Sequence, residues 1–119
     1  MTVKEFYEAV GGEYKTALER MMNDDFIKRM LSKFLANNSF QTIKQGYLDN
    51  DAKAVFEGAH ALKGVSGNLV LTDLFNKTCV VTEAVRDYAN ITELKIDQEM
   101  KAFEDSYLNV KEKIEELIK

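Results

Sequence analysis

The sequence predicts an all-α fold, an up-down four-helix bundle with one or two additional short helices at its amino terminus. Three observations carry this expectation. The chain contains no proline, so no position inside a helix lacks its backbone donor. It has no run in which β-branched and polar residues alternate, the pattern of a half-buried strand. Its apolar residues recur at steps of three and four between short polar breaks, most plainly from Ile96 through Met100, Phe103, Tyr107, Val110 and Ile114 to Leu117. A chain of 119 residues is long enough to bury a core without disulfides or a metal, so residues 1–119 read as one domain.

The elements follow in order. Thr2 and Glu5 have the spacing of a capping box and start a first short helix, which Gly11-Gly12 should end or kink. A second segment runs from Glu13 to about Met22. Asn23 or Asp24 can cap a third, with Ile27, Met30, Leu31, Phe34 and Leu35 on its apolar face and Asn37-Asn38 as its interruption. Ser39 can cap a helix that turns Phe40, Ile43 and Tyr47 inward, and Leu48 to Asp51 reads as the next turn. From about Asp51 to Leu69, the positions Val55, Ala59, Leu62, Ser66 and Leu69 form one buried stripe. The next helix, from about Thr72 to Ala89, places Leu74, Thr78, Val81, Val85 and Tyr88 inward, and the last begins near Thr92. Connections of a few residues make successive helices antiparallel.

Composition narrows the function classes. An apolar fraction of 45% beside 30% charged residues is that of an ordinary soluble domain and argues against disorder. The single cysteine, Cys79, rules out an internal disulfide, suits a reducing compartment and reads as a small core residue. The opening MTVKEFYEAV lacks the basic and apolar regions of a signal peptide, and no apolar span approaches about 20 residues. A cytoplasmic location with no membrane association is therefore expected. With 20 acidic and 16 basic side chains the net charge is -4, and the lysines are scattered, which argues against a nucleic-acid surface. A closed bundle with charged outer faces is expected to be a monomer.

The stretch GAHALKGVSGNL, residues 58–69, holds the only histidine. At about 100° per residue, His60 falls roughly 120° from the middle of the Val55/Ala59/Leu62/Ser66 stripe, at or beyond the edge of the core. Lys63, Gly64 and Gly67 follow at three, four and seven positions and share its face. A helix interior tolerates glycine at a cost of roughly 1 kcal/mol relative to alanine, so glycines here point to a need for close approach. No metal site is expected, because one histidine and one cysteine on different helices do not make a first shell. Ser66 is expected inward with no histidine and acid to activate it, so hydrolase chemistry is a poor fit. A phosphate-binding loop is absent, which argues against ATP binding. His60 remains as a nucleophile that accepts a transferable group, and phosphoryl fits best, with the Lys63 ammonium offsetting the charge gained.

These residues also carry a resemblance. AHALKGVSGNL resembles the signature of the histidine-containing phosphotransfer (HPt) domain, in which histidine, lysine three residues later and glycine four residues later sit on the second helix of a four-helix bundle. The tract YKTALERMMNDDFIKRMLSKF resembles the amino-terminal region of free-standing bacterial members. Leu74, Cys79 and Glu83 fall where the family's following helix has similar residues, and Val70 stands where the family often has glycine. The resemblance implies that His60 is phosphorylated by the aspartate of a response-regulator receiver domain and returns the group to another. Lys63 assists, Gly64 clears the approach, and Gly67 and Asn68 extend the docking face. The implied partners are receiver domains and a hybrid histidine kinase. The chain would be a relay without turnover of its own and without a cofactor, any Mg²⁺ belonging to the partner's acidic site. The alternative is a helical interaction module that docks through the same face without being phosphorylated.

Overall fold

Polar breaks in the apolar pattern become helix ends in the computed structural model, which describes residues 1–119. Seven α-helices result: α1 (Val3–Ala9), α2 (Tyr14–Met21), α3 (Asp24–Phe34), α4 (Ser39–Leu48), α5 (Ala52–Asn68), α6 (Thr72–Ala84) and α7 (Asp97–Leu117). A single 3-10 turn covers Tyr88–Asn90, and there is no strand.

The capping chemistry is largely where the sequence puts it. The Thr2 hydroxyl accepts from the Glu5 N–H at 3.1 Å while the Thr2 N–H donates to the Glu5 carboxylate at 2.7 Å, closing the capping box of α1. Asn23, rather than Asp24, caps α3 by accepting from the Phe26 N–H at 2.8 Å. Ser39 is the first residue of α4 and not its cap. Asn38 holds the cap position without a side-chain bond, and the Asn37 carboxamide oxygen accepts the Ser39 N–H.

Helices α4 to α7 form the bundle. Helix α4 lies against α7 with Phe40 stacked on Tyr107, Lys44 paired with Glu104 at 2.8 Å, and Tyr47 donating to Asp97, an order of contacts that makes the two antiparallel. The short turns between α4, α5 and α6 bring these helices side by side in alternating directions. Three short helices precede the bundle where one or two were expected. Gly11 at φ +67° and Met22 at φ +78° each end a helix with a left-handed residue, so the chain before Ser39 is cut twice. These helices cover the end of the bundle near the carboxyl half of α7. Phe34 meets Tyr107, Asn109 donates to the Ala9 carbonyl, and the buried Tyr7 hydroxyl donates to the Leu69 carbonyl at 2.7 Å.

One apolar cluster runs through the whole, from Val3 and Phe6 in α1 to Ile114 and Leu117 in α7. It includes the expected stripe of α7 and Val55, Ala59, Leu62 and Leu69 of the α5 stripe, with the buried Ser66 beside them, and the glycine at 58 sets how closely α4 and α5 approach. A Cβ there would lie 2.8 Å from Ile43 Cγ1 and 3.2 Å from the Ser39 carbonyl oxygen.

Two helix boundaries differ from the sequence reading. Helix α6 ends at Ala84, not Ala89, after a run in which Val80, Val81, Thr82 and Val85 crowd the helix with β-branched side chains. Helix α7 starts at Asp97, not near Thr92, because Asn50 holds the preceding segment in a non-helical path. Its carboxamide donates to the Thr92 carbonyl at 2.9 Å and accepts from the Leu94 N–H at 2.7 Å. Tyr88 consequently leaves the core position expected for it and lies half-buried on the flank of α5. Cys79 is likewise half-buried rather than enclosed.

Candidate functional site

Helix α5 presents the site. Asp51 caps it by accepting from the Ala54 N–H at 3.1 Å, and its inner face buries Val55, Ala59, Leu62 and Ser66 completely. The Ser66 hydroxyl turns back to donate to the Leu62 carbonyl at 2.8 Å, so its polarity is spent within the helix. With the inner stripe fixed, helical geometry sends His60 outward, where it is exposed.

The side chains around His60 come from three elements. Phe56, one turn earlier on α5, lies parallel to the imidazole and offset from it, with the ring planes 3° apart and centroids 5.9 Å apart. Tyr88 of the 3-10 turn packs on the same Phe56 ring at 5.3 Å. Lys63 is half-buried, and its charge reaches Glu83 on α6 only weakly. The Glu83 carboxyl is held below the usual carboxylate range chiefly by hydrogen bonds from Arg86, against an opposing effect of desolvation, with lesser help from the Arg86 charge and least from that of Lys63.

The two glycines of the outer face have different surroundings. Beyond Gly64 there is open space, for a Cβ built there would meet no atom within 4 Å. At Gly67 the same Cβ would come within 3.1 Å of Phe75 Cδ1 and Cε1, so the α6 ring fills that clearance inside the chain. Of the two, only Gly64 leaves open space on this face, and Gly67 serves the packing of α6 on α5. Asn68 is exposed at the end of α5. Its carbonyl and that of Gly67 accept from Arg20 of α2 at 3.3 and 3.0 Å, which sets a cation on the carboxyl end of the helix, where the Gly67 carbonyl also accepts the Val70 N–H at 3.1 Å.

Val70 follows in the left-handed region at φ +56°, where a β-branched residue is strained and a glycine would not be. Its side chain is nonetheless buried, and its carbonyl accepts the Glu13 N–H at 3.3 Å.

Two shallow grooves of about 270 Å³ each flank the carboxyl end of α5, one lined by Glu13, Gly67, Thr72 and Phe75, the other by Met30, Lys33, Val65 and Asn68. Neither includes His60. The imidazole is exposed and borders neither groove, an arrangement suited to a group delivered by another macromolecule. No set of three histidine, cysteine or carboxylate side chains is placed to hold a metal ion. No helix is long and apolar enough to cross a membrane.

No family model, curated protein or solved structure matches the chain. The site therefore has to be read from its own chemistry.

Of the residues singled out in the sequence, His60, Lys63 and Gly64 share the outer face of α5, Asn68 ends it, and Gly67 is diverted to packing. Phe56 and Arg20 were not singled out. Phe56 stands four residues before His60, which places it on the same face by helical spacing alone. Arg20 is separated from Gly67 and Asn68 by almost fifty residues, and no local pattern announces that contact.

Proposed function

We propose that this chain is a phosphorelay intermediate of the HPt kind, taking a phosphoryl group onto His60 from the aspartyl phosphate of a receiver domain and passing it to the aspartate of another. The observation that carries the reading is the pairing of an exposed sole histidine with a glycine one turn later whose outer side is empty. A receiver's phosphorylated aspartate sits at the end of a broad protein surface, and that surface needs a flat approach beside the imidazole.

In the forward step the lone pair of a neutral ring nitrogen of His60, taken as Nε2 because it lies farther from the helix backbone, forms the bond to phosphorus. The phosphorus–oxygen bond to the donor aspartate breaks in line, and its electron pair leaves with the carboxylate. The proton on Nδ1 is free to pass to solvent, and the reverse step runs through the same geometry. Lys63, on the same face, offsets the negative charge carried by the transferring group. A hybrid histidine kinase and a response regulator are the partners that this chemistry calls for, and the cytoplasm is the compartment that holds such receivers. A monomer suffices, because His60, Lys63 and Gly64 all belong to one helix.

The test is incubation with a phosphorylated receiver domain. The chain should acquire an acid-labile, base-stable phosphate, and His60→Gln should acquire none while folding like the parent. A chain that binds the receiver and stays unphosphorylated would instead be an interaction module.

A further inference from the structure

Histidines that do chemistry are commonly oriented by a hydrogen bond from the second ring nitrogen to a carboxylate or carbonyl. His60 has instead an aromatic ring parallel to it at an offset. Phe56 is parallel to the imidazole within 3°, and Tyr88, arriving from the turn after α6, packs on Phe56 in its turn. Phe56 is half-buried and packs against the main apolar cluster, so its ring is anchored while His60 beside it is exposed.

The early end of α6 takes part in this arrangement. Had α6 continued to Ala89, Tyr88 would follow the inner stripe of that helix. Because the helix stops at Ala84 and the chain turns, Tyr88 is delivered to the flank of α5.

We propose that Phe56 is a positioning residue for His60, holding the imidazole plane in one orientation so that its outer nitrogen faces an arriving phosphoryl group, with Tyr88 fixing Phe56. This rests on the phosphotransfer reading above. A free imidazole on a helix surface rotates about its χ2 bond among broad minima, and only part of that range aligns the nitrogen lone pair with phosphorus. A parallel ring contact favours one part of the range by an amount typical of aromatic pairs, equivalent to about 3- to 10-fold in the fraction of productive orientations. Both faces of the transfer benefit alike, since acceptance and donation use the same nitrogen.

The experiment uses the full chain with Phe56→Met and Phe56→Leu, which keep an apolar side chain and remove the ring, and Phe56→Tyr, which keeps it. Since His60 is the only histidine, its two carbon-bound ring protons are readily assigned by NMR, and in the unphosphorylated parent they should show the ring-current shift of a neighbouring aromatic. That shift should vanish in Phe56→Met and Phe56→Leu and persist in Phe56→Tyr.

In parallel, phosphorylation is followed with a phosphorylated receiver and with phosphoramidate, a small donor that docks on nothing. Both aliphatic variants should lose about 3- to 10-fold in the rate of the transfer step with either donor and keep the parent's KM for the receiver, and Phe56→Tyr should restore the rate. Parent rates in the aliphatic variants would overturn the proposal. So would a loss confined to KM, which would make Phe56 a docking contact, or a loss that Phe56→Tyr does not restore. A parent chain that neither donor phosphorylates would refute the phosphotransfer reading instead, and the ring-proton shifts would then decide by themselves whether Phe56 orients His60.

Discussion

Three glycines on one helix meet three different surroundings, and Gly64 is the one whose substitution separates structure from function. Gly64→Gln places a side chain where a Cβ meets nothing within 4 Å, so the fold has room for it. Replacing glycine by glutamine in an exposed helix interior gains about 0.6 kcal/mol from propensity alone, which for a domain of this size raises the melting temperature by roughly 2 to 3 °C. The same side chain projects over the turn that carries His60 and obstructs a receiver's surface, for which a displacement of about 1 Å is enough to cost on the order of 100-fold in transfer. Gly58→Ala on the same helix makes the control. Its new Cβ would lie 2.8 Å from Ile43 Cγ1, and the overpacking should cost about 1 to 3 kcal/mol despite a similar propensity gain. The assay joins urea unfolding to phosphoryl transfer from a receiver and from phosphoramidate. Gly64→Gln should be more stable than the parent, slow with the receiver by about 100-fold, and close to the parent with the small donor. A Gly64→Gln chain that takes phosphoryl from the receiver at the parent's rate would refute the clearance argument.

Four further outcomes are expected. Lys63→Ala should slow transfer by about one to two orders of magnitude, corresponding to roughly 1.5 to 3 kcal/mol of lost charge-assisted interaction, with rapid-quench kinetics as the check. Val70→Gly should change stability by no more than about 1 kcal/mol, because relief of the left-handed strain offsets the lost burial. Val81→Gly, in a helix and fully buried, should cost about 3 kcal/mol or more by urea unfolding. The Asp73 carboxyl is held below the usual carboxylate range chiefly by the Ser106 hydroxyl, which donates to it at 2.7 Å, and by Lys77 at 3.0 Å, with desolvation opposing. A lowered folded value means that its stabilisation is present above the unfolded value near 3.9 and is lost as pH falls through the folded one. Asp73 is more than a third exposed, so the contribution is discounted to under about 1 kcal/mol, and urea midpoints at pH 7 and pH 3 should differ less in Asp73→Asn than in the parent.

The parts of the fold that were legible in the sequence are those where a local rule acts alone. The Thr2/Glu5 box, the Asn23 cap and the stripes of α5 and α7 depend on spacing within one helix, and each stands where the spacing puts it. What escaped the sequence depends on contacts between distant segments. Asn50 withholds residues 92–96 from α7 through two hydrogen bonds that no pattern near Thr92 reveals, and the β-branched run of α6 extends a convincing apolar stripe past the point where the helix stops. The site divides in the same way. His60 and Gly64 on one outer face follow from helical geometry. That Phe75 occupies the space above Gly67 requires knowing how α6 rotates against α5, which a single helical wheel does not contain.

The central claim is that His60 carries the phosphoryl group, and the most direct measurement is a phosphorus NMR spectrum of the chain after incubation with a phosphorylated receiver domain. The expected result is one new resonance with the shift of a phosphorus–nitrogen bond, coupled to the ring protons of the sole histidine, stable in base and lost within minutes in acid. No such resonance should form in His60→Gln. A spectrum with no protein-bound phosphate, or with phosphate that survives acid on a hydroxyl or persists in His60→Gln, would contradict the assignment.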